Sequence, residues 1–72
     1  MIIEILVIGN EILIGKTQDT NSNWLAKRIV KYGHQLNRIT TIGDKIDEIG
    51  TTIKSILKRE PDIIITSGGL IK

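Results

Sequence analysis

Seventy-two residues allow one domain at most, and a chain this short buries only about 60% of the surface its unfolded form exposes. The formal charge of +2, with acids and bases interleaved, excludes a basic nucleic-acid arm, and the absence of cysteine excludes disulfides, thiolate metal sites and thiol nucleophiles. Apolar residues make up 40% of the chain with one Trp, one Tyr and no Phe, so the core is aliphatic and the composition that of a soluble protein.

Ile2 to Ile8 is apolar except for Glu4 and stops at Gly9, which predicts a buried strand central in a parallel sheet. Met1 leads straight into it. There is no charged leader and no apolar run of membrane-spanning length, so the expected location is the cytoplasm, with neither membrane nor nucleic acid as a partner. Gly9 to Gly15 holds the apolar triplet Ile12-Leu13-Ile14 between its glycines and reads as an ordered loop against the core. Within it Glu11 has two readings: a carboxylate that orients a ligand hydroxyl or a metal-bound water, or a solvated loop acid.

The polar run Lys16 to Asn23 ends in an N-cap region, with Asp19, Thr20 or Asn21 accepting from the first helical N–H groups. The same run could hold a phosphate at the helix amino terminus. A helix to about Tyr32 follows, its inner face made by Ala26, Ile29 and Val30 with Leu25 beside them, and Gly33 ends it as a left-handed cap. Trp24 is expected to cover the core edge, and His34 to be an exposed loop residue, since no second His, Cys or spaced carboxylate accompanies it.

Gln35 to Ile42 mixes Leu36, Ile39 and Ile42 with polar residues, as an edge strand does. Ile46, Ile49, Ile53, Ile56 and Leu57 then recur at helical spacing as far as Glu60, where Pro61 stops the helix. Asp44, between that strand and that helix, is read either as the helix N-cap or as a ligand carboxylate. Asp62 to Thr66 reads as a third strand buried on both faces, and it delivers Ser67, Gly68 and Gly69 to its carboxyl end, where backbone N–H groups can approach an anion.

The pattern is βαβαβ. A polar second strand, an apolar third strand and right-handed crossovers predict a parallel sheet in the order 2-1-3 with one helix on each face. Glu11, Asp44 and Gly68-Gly69 each follow a strand and therefore open on one sheet edge. Convergence there would make a carboxylate-plus-glycine site suited to a phosphate ligand with a divalent cation. The third strand would be an open apolar edge, to be covered by more chain or by another subunit.

Four stretches in this order, Glu4 to Gly15, Asp19-Thr20-Asn21 with Trp24-Leu25, Thr41 to Asp44, and Ile65 to Leu70, resemble the molybdopterin-binding domain family, MoaB/MogA-like, and within it the amino-terminal domain of the CinA-like proteins. The resemblance implies a three-layer α/β/α fold of roughly twice this length, of which residues 1–72 would be the amino-terminal half. It implies a pocket at the strand ends in which Gly9, Glu11, Asn21, Gly43, Ser67, Gly68 and Gly69 bind a pterin or adenine-nucleotide phosphate, with Asp44 in the catalytic role and Mg2+ as the accompanying ion. The chemistry it implies is nucleotidyl transfer to molybdopterin, metal insertion, or hydrolysis of ADP-ribose-type pyrophosphates. Where the family continues Gly-Gly into Gly-Pro-Thr and a second acidic segment, this sequence has Leu70-Ile71-Lys72. Turnover by this chain alone is therefore not expected, and either the remaining half of the domain or a homo-oligomer is the expected partner. The alternative is a non-catalytic module that self-associates through its third strand.

Overall fold

The computed structural model describes residues 1–68. It contains β1 (Ile2–Ile8), a single helical turn α1 (Asn10–Leu13), α2 (Thr20–Lys31), β2 (Gln35–Ile42), α3 (Ile46–Lys58) and β3 (Ile63–Ser67). The strands form one parallel sheet in the order β2-β1-β3, as the crossover argument requires. Among the described residues, no helix is long and apolar enough to cross a membrane.

Alternation along β1 divides the core between the two faces of the sheet. Ile3, Ile5 and Val7 pack with Ile29 of α2, with Ile12, Leu25, Leu36 and Ile65 at the margin. Leu6 and Ile8 pack on the other face with Ile42 and with Ile56 of α3, beside Ile49, Ile53 and Ile64. One helix therefore covers each face. β1 supplies residues to both clusters because it is the central strand, flanked by backbone on either side.

The ends of α2 follow from local chemistry. Asp19 is the N-cap: its carboxylate accepts from the Ser22 backbone N–H at 3.0 Å and also from the Ser22 hydroxyl. A cap of this kind contributes about 1 kcal/mol. At the other end Gly33 has φ +83°, and His34 N–H and Gly33 N–H donate to the carbonyls of Ile29 and Val30 at 3.1 and 3.0 Å. This pair of bonds is a Schellman motif, closed at the residue best able to take a left-handed conformation. His34 is exposed, as expected, with Nδ1 3.3 Å from the amino terminus.

Six expectations about local structure are corrected. The segment after Gly9 is not wholly loop, because Leu13 and Ile14 N–H groups donate to Gly9 and Asn10 carbonyls at 3.0 and 3.1 Å and close the turn of α1. Trp24 does not cover the core edge and is 58% exposed, while Val30, expected on the inner face, is turned outward. On α3 the inward stripe narrows to Ile49, Ile53 and Ile56, because Leu57 is turned about 100° from its buried neighbour Ile56 and Ile46 is the first residue of the helix, and both are exposed. The helix also stops at Lys58 rather than Glu60, with Glu60 in the left-handed region at φ 55° immediately before Pro61. β3 is not buried on both faces: Ile63 is exposed and Ile64 and Ile65 are half-buried, since β1 is the strand it pairs with.

Candidate functional site

Each strand ends in a loop at the same edge of the sheet, and three contacts join those loops. The Gly9 N–H donates to the Ile42 carbonyl at 2.9 Å, which ties the end of β1 to the end of β2. The Asn10 side-chain amide donates to an Asp44 carboxylate oxygen at 2.8 Å, bridging the same two loops through exposed side chains. A Cβ on Gly68 would collide with the Ile8 carbonyl oxygen, so the loop after β3 presses against the end of β1. Gly68 also has φ +96°, a conformation that L side chains rarely adopt.

Gly43 is buried between these contacts. A Cβ there would overlap the Asn10 side-chain oxygen, so the absence of a side chain allows Asn10 to reach Asp44. Gly9 sits under the Glu11 side chain, where a Cβ would lie 2.5 Å from a carboxylate oxygen. That neighbour is the far end of a flexible side chain and could move. The geometry thus brings Gly9, Glu11, Gly43, Asp44 and Gly68 to one edge, together with Ser67, which pairs with Val7 at the end of β3.

Asn21 stands apart. It is exposed on the first turn of α2, where the capping role belongs to Asp19, and no side-chain hydrogen bond joins it to the cluster among the described residues. Gly69 lies outside the described residues. Asp44 is not the N-cap of α3. Lys45 occupies that position without a side-chain bond to the helix, because the Asp44 carboxylate is turned back to Asn10.

Sequence reasoning passed over Asn10 as a site residue. Its signal was available: an amide directly after a strand-closing glycine, opposite a loop that also begins with glycine. The one fully buried charge among the described residues was also missed as a structural element. Glu4 has 0% exposure on the α3 face and receives Arg59 in a bidentate pair, Nη2 to Oε1 at 2.7 Å and Nε to Oε2 at 2.8 Å. Asn37 adds a third donor at 3.1 Å, from a bulge where Ile3 pairs with Leu36 and Glu4 with Arg38. The Arg59 hydrogen bonds hold the Glu4 carboxyl below its ordinary pKa against the opposing effect of burial, with Asn37 assisting. With every oxygen partnered and its place in the amino-terminal half of β1, Glu4 stabilises the sheet rather than serving the loops.

Mg2+ is ordinarily held by one or two carboxylates together with water and substrate phosphates. Asp44 and Glu11 carboxylates and the Asn10 amide oxygen are donors of that hard type. Among the described residues no group of three or more His, Cys, Asp or Glu could hold a metal ion. Two carboxylates and an amide oxygen are a donor set that would suit Mg2+ sharing its coordination with water and a phosphate.

Comparison with known proteins agrees with this architecture. The family model described as a probable molybdopterin binding domain matches residues 4–70. The solved structure of the protein CinA from Thermoplasma acidophilum, itself of unknown function, superposes with a TM-score of 0.87 at 33% identity, covering 97% of this chain and 42% of that one. A protein of Metallosphaera sedula is 49% identical over 67 residues, and one of Thermococcus kodakarensis 43% identical over 70. The alignments cover 93% and 97% of this chain but 25% and 28% of those proteins, so the chain spans about a quarter of the length of these relatives.

Proposed function

We propose, because this chain belongs to the molybdopterin-binding domain family and has a CinA-like fold, that its carboxyl sheet edge binds the phosphate-bearing part of a pterin or adenine nucleotide. The observation that carries the reading is the Asn10–Asp44 hydrogen bond across two loops, beside a third loop whose Gly68 lies against Ile8. A carboxylate held by an amide donor from a neighbouring loop is oriented before ligand arrives, and glycine backbone admits an oxyanion closely. Mg2+, when bound with the phosphate, would supply neutralising charge. Asp44 and Glu11 would hold the ion, Asn10 would keep the Asp44 carboxylate in place, and the backbone of Gly43 and Ser67-Gly68 would line the phosphate. In a longer chain the same edge suits nucleotidyl transfer or pyrophosphate hydrolysis, both of which depend on positioning and charge stabilisation.

An amide NMR titration with ADP-ribose, then AMP, each with and without Mg2+, tests the reading. Shifts are expected at Gly9–Gly15, Gly43–Asp44 and Ser67–Gly68, and Asp44→Ala should weaken Mg2+-dependent binding about tenfold, as loss of one charge-assisted contact does. Because Asp44 is exposed and caps no helix, the variant should keep its amide dispersion. A well-dispersed spectrum that no ligand perturbs, or shifts on the opposite sheet edge, would sink the proposal.

A second reading rests on β3. Ile63 is 38% exposed, and among the described residues β1 is the strand with which β3 pairs, so its other backbone edge is available to another strand. In this reading the chain assembles through that edge. Ile63→Lys, at the exposed position of β3, should then convert an oligomer to a folded monomer in sedimentation equilibrium; an unchanged mass, or a wild-type monomer, refutes edge pairing.

A further inference from the structure

Both aromatic side chains of this protein lie outside its core, on the outward face of one helix. Trp24 is 58% exposed and Tyr32 62% exposed, and they are the only aromatics in the sequence. Arg28 stands between them, its guanidinium carbon 5.0 Å from the Trp24 ring centroid and 5.4 Å from that of Tyr32, with Nη2 donating to the Tyr32 hydroxyl at 3.4 Å. Spacing of four residues places the three side chains in a row about 12 Å long, each ring in cation–π contact with Arg28.

Lys27 and Lys31 fall beside this row by helical periodicity, on the side away from buried Ser22 and Ile29. The sequence of α2 contains three cations and no Asp or Glu. Among the described residues the ion pair formed is Glu4–Arg59, so the cations of α2 have no carboxylate partner there.

We propose that this face docks an acidic helical segment of a partner protein, with carboxylates three or four residues apart meeting Arg28 and Lys31 and an apolar side chain covering the rings. Trp, Tyr and Arg are the residues that concentrate binding energy at protein interfaces, and a row already held in place loses little freedom on docking. The charge selects the occupant. Pairing of the face with its own copy about a two-fold axis would set three cations against three. Single-stranded nucleic acid calls for a longer basic track than three cations on one helix, in a chain whose formal charge is only +2.

Trp24 is the only tryptophan, so its emission reports this face directly. The probe is a synthetic helical peptide with glutamate at every fourth position and leucine beside it, compared with its glutamine counterpart at low salt. The glutamate peptide should bind at least about tenfold more tightly, weaken as salt is raised, and lose about tenfold on Arg28→Glu with an unchanged circular dichroism spectrum. Lys31→Glu, at a second exposed position, should weaken it in the same direction. Equal affinity for the two peptides, no saturation at millimolar peptide, or tighter binding of single-stranded RNA or anionic vesicles would each overturn the proposal. So would an emission change that depends on protein concentration alone, which signals a second copy.

Discussion

Replacing Arg59 with methionine is expected to lower the stability of this chain by about 2 kcal/mol at neutral pH and by much less near pH 4. The substitution keeps the aliphatic stem but leaves the fully buried Glu4 carboxylate with Asn37 as its remaining donor. Loss of one partner from a buried pair typically costs ~3–5 kcal/mol; the smaller figure allows for the 27% exposure of the Arg59 side chain, which admits some solvent. The pH dependence separates this cause from lost packing. In the native chain Arg59 holds the Glu4 carboxyl below its ordinary value, so the pair contributes fully above that value and its contribution is lost as pH falls through the depressed one.

In the variant, burial without the arginine acts in the opposite direction and raises the carboxyl. Its folded form is then favoured while Glu4 is protonated and loses ground as pH rises. The two urea-unfolding midpoints, followed by circular dichroism because exposed Trp24 is a poor reporter of packing, should converge in acid and separate toward neutrality. A gap that stays constant across that range would show that the cost lies in packing and not in charge.

Ile56→Ala should cost about 2–5 kcal/mol, the range for truncating a buried isoleucine. Ile56 is 0% exposed and is the fully buried contact between α3 and the sheet, where it meets Leu6, Ile8 and Ile42. A chain of this size is held by only about 5 kcal/mol, so the variant should lose α3 from its native packing and much of its helical signal at ambient temperature. Ile46→Ala is the control on the same helix. At 84% exposure it should shift stability by no more than about 0.5 kcal/mol. Similar losses for the two variants would mean that α3 does not dock on the sheet through the face described.

The contrast between these isoleucines also shows how far the sequence can be read. Periodicity placed both on the α3 stripe, and their spacing is compatible with a single buried face. Burial was decided by how the helix is seated on the sheet: Ile46, the first helical residue, is exposed, whereas Ile56 packs with Leu6 and Ile8 of β1. Trp24 and Val30 were misplaced for a related reason. The hydrophobicity of a side chain says that it can be buried, but the rotation of α2, set by Asp19 at one end and Ile29 against the sheet, turned both outward.

At the candidate site the two readings of Asp44 rested on identical local sequence. An acid one or two residues before a helical stripe resembles an N-cap, and Asp19 fulfils that role at α2. Asp44 does not, because Asn10, 34 residues earlier, offers it a donor at 2.8 Å. No spacing rule within the 43–46 segment could have revealed a partner delivered by the end of another strand. The Glu4–Arg59 pair, 55 residues apart, was hidden in the same way, although one acid in an otherwise apolar central strand was a signal that a buried partner must exist.

By itself the sequence determined the three strands, a cap for α2 among Asp19, Thr20 and Asn21, the left-handed stop at Gly33, the order β2-β1-β3 and the membership of the molybdopterin-binding domain family. These depend on side-chain period, on local backbone preference and on the handedness of crossovers, all of which act over a few residues or one connection. Tertiary structure alone decided that Asp44 faces Asn10, that Asn37 bulges to meet Glu4, that Arg59 neutralises it, and that Trp24, Arg28 and Tyr32 stand free on α2. Each of those outcomes is set by the register and rotation of elements distant in the chain, which become defined only when the sheet and its two helical layers pack together.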